Sequence, residues 1–209
     1  MRLRERLSAL LGLAGRARTE RRPHRGPTTH VIVLDGTMST LDRGQRTNAG
    51  RLYALLQEVG ARANLSFHYE AGLQWGDRRL PLDMLVGRGI NRQMGRAYGV
   101  LASRFRPGDS IVLAGYSRGA FAVRSLAGVV DRVGLLRHDC ATERMVRQAY
   151  RHYRCASDAP VVAAFRKAYC HDRAEIEALA VWDTVNPPYS SDRPWKGPAA
   201  PDRGDVAVR

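Results

Sequence analysis

Residues 110–133 read SIVLAGYSRGAFAVRSLAGVVDRV, which is an apolar run, a serine between glycines and a second apolar run. The β-branched run 110–114 predicts a buried strand, and the run 120–133 predicts a helix. Between them lies Gly115-Tyr116-Ser117-Arg118-Gly119. A Gly-x-Ser-x-Gly motif at a strand-to-helix turn is typical of a nucleophile elbow, which holds its serine hydroxyl at the edge of a sheet.

The elbow would give Ser117 the chemistry of a nucleophile. A serine hydroxyl reacts poorly unless a base takes its proton and amide donors stabilise the oxyanion that forms. Gly115 and Gly119 leave room for the strained turn, and the amide of Arg118, at a helix N-terminus, is one predicted oxyanion donor. The alternative is a tight turn in which Ser117 only caps the helix.

Three other strands are predicted around this unit. The run 30–34 ends in Asp35-Gly36-Thr37, the run 65–69 follows it, and the run 176–182 ends at Asp183. In α/β folds ligands bind at the edge where the carboxyl ends of parallel strands meet. Asp183 is therefore the predicted triad acid, with turn or helix capping as the alternative. Asp35 is expected to organise the loop in which Gly36 and Thr37 supply the second oxyanion amide.

Helical segments separate the strands. They are predicted from a cap at Thr47 or Asn48 to Gly60, at 91–105, at 120–133, and near 141–153 and 160–170. Residues 73–89, which are rich in glycine, are predicted to form a loop. The apolar face of the first is expected to comprise Leu52, Leu55, Leu56 and Val59. Strands that alternate with helices predict an α/β fold, with a mostly parallel sheet wrapped by helices on both faces.

A catalytic triad also needs a histidine beside the serine. The chain has six, which are His24, His30, His68, His138, His152 and His171. The sequence predicts none of them near the elbow. His30 and His171 fall toward the opposite edge of the sheet, and His68 falls inside a strand. The others lie in a linker or on or beyond helices behind the elbow, so the base is not evident.

Composition argues against several other classes of protein. Three widely spaced cysteines predict neither a disulfide frame nor a metal site, and they favour a reducing compartment. We expect no metal and no cofactor. The net charge is +14, but residues 1–27 hold eight arginines against two glutamates, so 8 − 2 = +6 is local and 14 − 6 = +8 is scattered. We expect no nucleic-acid partner, because the scattered arginines form no basic stripe interleaved with aromatics.

The two ends of the chain differ from its middle. Residues 1–27 predict a basic flexible leader, with a signal peptide or a surface-lying amphipathic segment as alternatives. Residues 186–209 hold five of the ten prolines and predict an irregular tail. A cytoplasmic location is expected, with export through a secretion system as an alternative.

The chain resembles an uncharacterised α/β-hydrolase domain family that includes the phospholipase effectors of bacterial type VI secretion. The matching stretches run in order from residue 30 to residue 185. They are Val33-Leu34-Asp35-Gly36-Thr37, Thr47-Asn48, Tyr69-Glu70-Ala71-Gly72-Leu73-Gln74-Trp75, Gly87-Arg88-Gly89-Ile90, Ala97-Tyr98, Arg106-Pro107-Gly108-Asp109, the block from Gly115 to Gly128, and Val181-Trp182-Asp183-Thr184-Val185.

The resemblance implies an α/β-hydrolase-like three-layer αβα sandwich with Ser117 as nucleophile, Asp183 as acid, and a lipid or small ester as substrate. Two departures stand out. Met38 occupies a position where many members have tryptophan, and the Pro-rich tail replaces later strands and a histidine-bearing segment. We therefore expect residues 28–185 to form a partial α/β-hydrolase domain, truncated near residue 186 and impaired as an esterase or lipase. The alternative function is a non-catalytic module that binds an anionic membrane or a protein partner.

Overall fold

The computed structural model describes residues 26–59, 64–72, 88–155, 158–186 and 206–208. Nearly all of the predicted leader and most of the predicted tail lie outside the described residues, as does most of the loop predicted at 73–89. Within the described residues, no helix has both the length and the apolarity needed to cross a bilayer.

In the part of the chain that the structure describes, one sheet forms the middle of the domain. Its strands are β1 Thr29–Leu34, β2 Leu65–Glu70, β3 Ser110–Tyr116, β4 Ile176–Trp182 and β5 Val206–Val208. The strand order is β2-β1-β3-β4-β5. The first four strands pair in parallel, as predicted, and β5 pairs antiparallel to β4. All the carboxyl ends of β1 to β4 therefore meet at one edge, which we call the carboxyl edge.

Within the described residues, five α-helices connect or follow the parallel strands. They are α1 Asn48–Val59, α2 Arg88–Arg104, α3 Arg118–Arg132, α4 Glu143–Arg154 and α5 Ala159–Tyr169. A short 3-10 helix, His138–Cys140, precedes α4. All five were predicted, but α2 begins at Arg88, inside the segment that was expected to be a loop.

The alternation of side chains along the strands sorts the core into two faces. On one face Ile32, Leu34 and Leu113 pack with α2 and α3, and α4 lies outside those two helices. On the other face Val31 and Val33 pack with α1. Helices on both faces of one sheet make the three-layer αβα sandwich that was expected.

The buried face of α1 differs from the expected one. Leu52 and Leu56 pack on the sheet, but Leu55 is 58% exposed and Val59 is 54% exposed. The helix is rotated about its axis so that Tyr53 faces the sheet. The Tyr53 ring stacks on Tyr69 of the edge strand β2, with the ring centroids 4.6 Å apart. This aromatic contact outweighs the simple apolar periodicity, so the prediction for Leu55 and Val59 was wrong.

Candidate active site

Ser117 connects β3 to α3 in a strained backbone conformation. Its φ is 54° and its ψ is −120°, values that residues other than glycine rarely adopt. The Ser117 hydroxyl makes no capping hydrogen bond to α3. The capping role that was the alternative interpretation is therefore not what holds this residue in place.

Gly115 and Gly119 allow the elbow to pass close to its neighbours. A β-carbon at position 115 would lie 2.7 Å from the Gly119 carbonyl oxygen and 2.8 Å from the Ala120 nitrogen. A β-carbon at position 119 would clash with the Leu34 carbonyl oxygen. The start of α3 therefore lies against the end of β1, which only a residue without a side chain permits.

Backbone strain is concentrated at the carboxyl edge of the sheet. Among the described residues, the non-glycine positions with positive φ are Met38, Ser117 and Asp183, with φ values of 64°, 54° and 48°. They follow β1, β3 and β4 respectively, each within four residues of the strand end. Clustered backbone strain of this kind is often found at functional sites, since the surrounding structure must hold it in place.

Asp183 lies beside Ser117 in the sheet. The Ser117 amide donates to the Trp182 carbonyl at 2.9 Å, and the Val185 amide donates to the Ser117 carbonyl at 3.3 Å. The pairing of β3 with β4 thus continues past the end of both strands and encloses Asp183, which is solvent-exposed. The structure brings the two sequence-predicted residues together at the backbone level.

The loop after β1 also reaches Ser117. A β-carbon at Gly36 would lie 3.1 Å from the Ser117 β-carbon, so this loop touches the elbow directly. The Gly36 amide, however, donates to the Asp35 carboxylate at 2.8 Å. Of the two oxyanion donors predicted in this loop, the Gly36 amide is therefore already hydrogen-bonded within the protein.

The Gly36 carbonyl is held by three donors. It accepts the Ser39 hydroxyl at 2.7 Å, the Ser39 amide at 3.3 Å and the Gly72 amide at 3.2 Å. A planar trans peptide points its N–H opposite to its C=O. The Thr37 amide is therefore directed away from Ser39 and Gly72. It remains the candidate oxyanion donor of this loop.

Asp35 anchors the same loop. Its side chain is fully buried, and its carboxylate accepts hydrogen bonds from the Thr47 hydroxyl at 2.8 and 2.9 Å and from the Tyr69 hydroxyl at 2.8 Å. Burial and then the bond to Asp35 raise the pKa of Tyr69, because both disfavour the phenolate. The carboxylate thus ties the start of the loop to the start of α1 and to β2.

Gln93 is a site-supporting residue that the sequence did not reveal. Its buried amide on α2 donates to the carbonyls of Glu70 at 3.1 Å and Ala71 at 3.4 Å, and lies 3.5 Å from that of Asp35. These carbonyls end β2 and β1, where the ladder runs out. A polar residue on a helix carries no sequence signal for this role, so only the fold discloses it.

Arg118 has both a backbone and a side-chain role to consider. Its amide lies in the first turn of α3, where amides lack partners within the helix. Its side chain is half-buried, and this burial lowers the pKa of the guanidinium. The amides at the start of α3 and the helix dipole make the backbone around Ser117 favourable for negative charge.

The described histidines lie away from the elbow. His30 Nε2 lies 2.9 Å from the Asp109 carboxylate at the amino end of β1, and the His171 amide donates to the Leu135 carbonyl. His68 lies 3.6 Å from the Glu70 carboxylate within β2. His152 packs against Phe165, and His138 lies in the 3-10 helix.

The predicted placement of His30, His68 and His171 is confirmed, and no described histidine contacts Ser117. His24 lies outside the described residues. Among the described residues no cluster of three or more His, Cys, Asp or Glu side chains is arranged to hold a metal ion.

Comparison with known proteins places this geometry in context. A family model described as the catalytic domain of Tle1-like phospholipase effectors of type VI secretion matches residues 28–196. The uncharacterised protein YEL023C of Saccharomyces cerevisiae is 29% identical over 182 residues, which cover 75% of this chain and 26% of that protein. The chain thus spans about a quarter of this curated relative's length. No solved structure matches the chain.

Proposed function

Because the chain belongs to the family of Tle1-like phospholipase effector catalytic domains, we propose that it is a serine hydrolase acting on the carboxylic ester bonds of lipids. The observation that carries the proposal is the strained Ser117 at the N-terminus of α3, in contact with the loop after β1. A non-glycine residue held in this conformation between a strand and a helix has the geometry of a nucleophile elbow.

In the proposed reaction the Ser117 Oγ attacks the ester carbonyl carbon and gives its proton to a base. The tetrahedral oxyanion is stabilised by the amides of Thr37 and Arg118, and the positive end of the α3 dipole adds to this stabilisation. Collapse of this intermediate expels the alcohol, which takes the proton, and leaves an acyl group on Ser117. Water then releases the acid and restores the hydroxyl.

We assign Asp183 as the acid that orients the base. Its position beside Ser117, enclosed by the Trp182 and Val185 hydrogen bonds, supports this role. We infer that the base is a histidine other than the five described ones, because those lie elsewhere in the fold. It is either His24 or a histidine that these 209 residues do not contain.

A fluorophosphonate probe tests the proposal, since it phosphonylates an activated serine and releases fluoride. We expect an adduct on Ser117 in the full chain and none in Ser117→Ala, with fatty acid release from phospholipid vesicles following the same pattern. Absence of the adduct in the folded wild-type chain, both without and with added imidazole as the base, would overturn the enzyme assignment. If wild type is not labelled, and both wild type and Ser117→Ala bind vesicles, the result would instead favour the non-catalytic module.

A further inference from the structure

Helix α4 carries a row of arginines on its exposed side. The arginines at positions 144, 147, 151 and 154 recur with the 3-4-3 spacing of a single helical face, and all four residues are exposed. At 100° per residue they fall within about 80° of one another around the helix axis. We call this row the arginine stripe.

The opposite side of α4 is fixed to the domain. Its buried residues are Val146, Ala149 and Tyr153, and they centre about 150° from the stripe around the axis. Tyr153 packs against Gly128 of α3, where a β-carbon would lie 2.6 Å from its hydroxyl, and Val146 faces Gly99 of α2. The stripe therefore points outward from the outer layer of the sandwich.

Within α4 itself the basic residues of the stripe outnumber the acidic residues. The helix contains one acidic residue, Glu143, which lies 3.5 Å from Arg147 with both side chains more than 70% exposed. Such an exposed pair contributes little binding energy and releases its arginine readily.

We propose that the arginine stripe of α4 docks the domain on an anionic lipid bilayer. This inference rests on the proposed function, since an enzyme that cleaves membrane lipids must be held at a bilayer. A flat anionic surface is complementary to a straight row of outward guanidinium groups, and each arginine near such a surface adds about fivefold to the affinity.

The docking surface is separate from the chemistry. Tyr153 packs against Gly128, near the end of α3 that is far from Ser117, so the end of the stripe at Arg151 and Arg154 lies away from Ser117. Docking therefore raises the local lipid concentration and leaves the reactivity of Ser117 unchanged.

The test measures co-sedimentation of the full chain with vesicles made of equal parts phosphatidylcholine and phosphatidylglycerol. The stripe variant is Arg144→Gln, Arg147→Gln and Arg151→Gln together. The matched control removes the same charge elsewhere, as Arg51→Gln, Arg104→Gln and Arg106→Gln, three exposed positions off α4. Both variants keep residues 1–27, so their basic charge is constant across the comparison.

We expect wild-type binding to fall with added salt, and the stripe variant to bind on the order of 100-fold more weakly, from three arginines at about fivefold each. The control variant should lose less than about tenfold. Equal losses in the two variants, or equal binding by the stripe variant and wild type, would overturn the proposal.

Two further measurements separate this proposal from others. Soluble duplex RNA is added as a competitor of the vesicles. If it binds the stripe as strongly as the vesicles do, the surface would be assigned to nucleic acid and the lipid assignment would be overturned. Fluorophosphonate labelling of Ser117 should be the same in wild type and stripe variant. Loss of labelling in wild type with vesicle binding retained would count against the proposed function alone.

Discussion

Individual glycines and serines set the geometry around Ser117. Gly119 lies against the end of β1, and the Gly36 carbonyl is held in place by Ser39 and Gly72. None of these residues performs chemistry in the proposed reaction. They determine where the Ser117 hydroxyl and the Thr37 amide lie relative to each other, and their effects should be separable by single substitutions.

Gly119→Ala should destabilise the domain by about 1–3 kcal/mol, because its β-carbon would push α3 away from β1. Labelling of Ser117 should be lost with it. Gly95→Ala in α2 is the matched control, since a β-carbon there meets nothing within 4 Å. That change should stabilise by about 0.5–1 kcal/mol. Urea unfolding measures both, and a neutral Gly119→Ala would contradict the close approach.

Ser39→Ala should slow labelling of Ser117 by about tenfold, because the Gly36–Thr37 peptide loses a hydrogen bond that orients the Thr37 amide. Ser103→Ala removes a similar local bond, from Ser103 to the Val100 carbonyl at 2.8 Å, on the exposed part of α2. The two variants should have similar unfolding free energies. Equal labelling rates for both would remove Thr37 as an oxyanion donor.

Contacts between elements account for where the sequence succeeded and where it failed. The strands and helices were predictable because each carries its own apolar periodicity, and the elbow was predictable because Gly115 and Gly119 report a local steric need. The role of Gln93 and the rotation of α1 that places Tyr53 on Tyr69 were not predictable, since both depend on groups that are distant in sequence. The occupied amide of Gly36 likewise follows from the side-chain conformation of Asp35, which no pattern records.

Gln93→Leu should cost about 1–3 kcal/mol, because the carbonyls of Glu70 and Ala71 lose a buried donor. Gln57→Leu on α1 is the control, because Gln57 is exposed and bonds only the Tyr53 hydroxyl, at 3.3 Å. Its effect should stay within about 0.5 kcal/mol. Chemical denaturation followed by circular dichroism would measure both. Similar small effects would show that the Gln93 hydrogen bonds do not stabilise the ends of β1 and β2.

The domain taken together presents Ser117, Asp183 and the amides of Thr37 and Arg118, which we propose as nucleophile, acid and oxyanion donors, while the five described histidines lie in other parts of the fold. The parallel sheet and its two helical layers were predictable from the alternation of strands and helices. The antiparallel pairing of Val206–Val208 with β4 was not, because only the brief run itself was visible in the sequence.

If the base comes from outside the described residues, free imidazole should substitute for it. We expect the labelling rate of Ser117 to rise about tenfold or more with added imidazole, and more steeply above pH 7, where imidazole is neutral and accepts a proton. Stopped samples analysed by intact mass would give the rates. A labelling rate that is already fast and insensitive to imidazole would instead show that the chain supplies its own base.

The backbone contacts of Gly72 and Gly119 have an evolutionary consequence. Both positions exclude a side chain because another stretch of main chain occupies the space, whether or not any ester is ever cleaved. Descendants that abandon catalysis should therefore drift at Ser117 and Asp183 long before they drift at these glycines. In an alignment, a retained glycine pair records only inheritance of the architecture, and a retained serine records selection on the reaction.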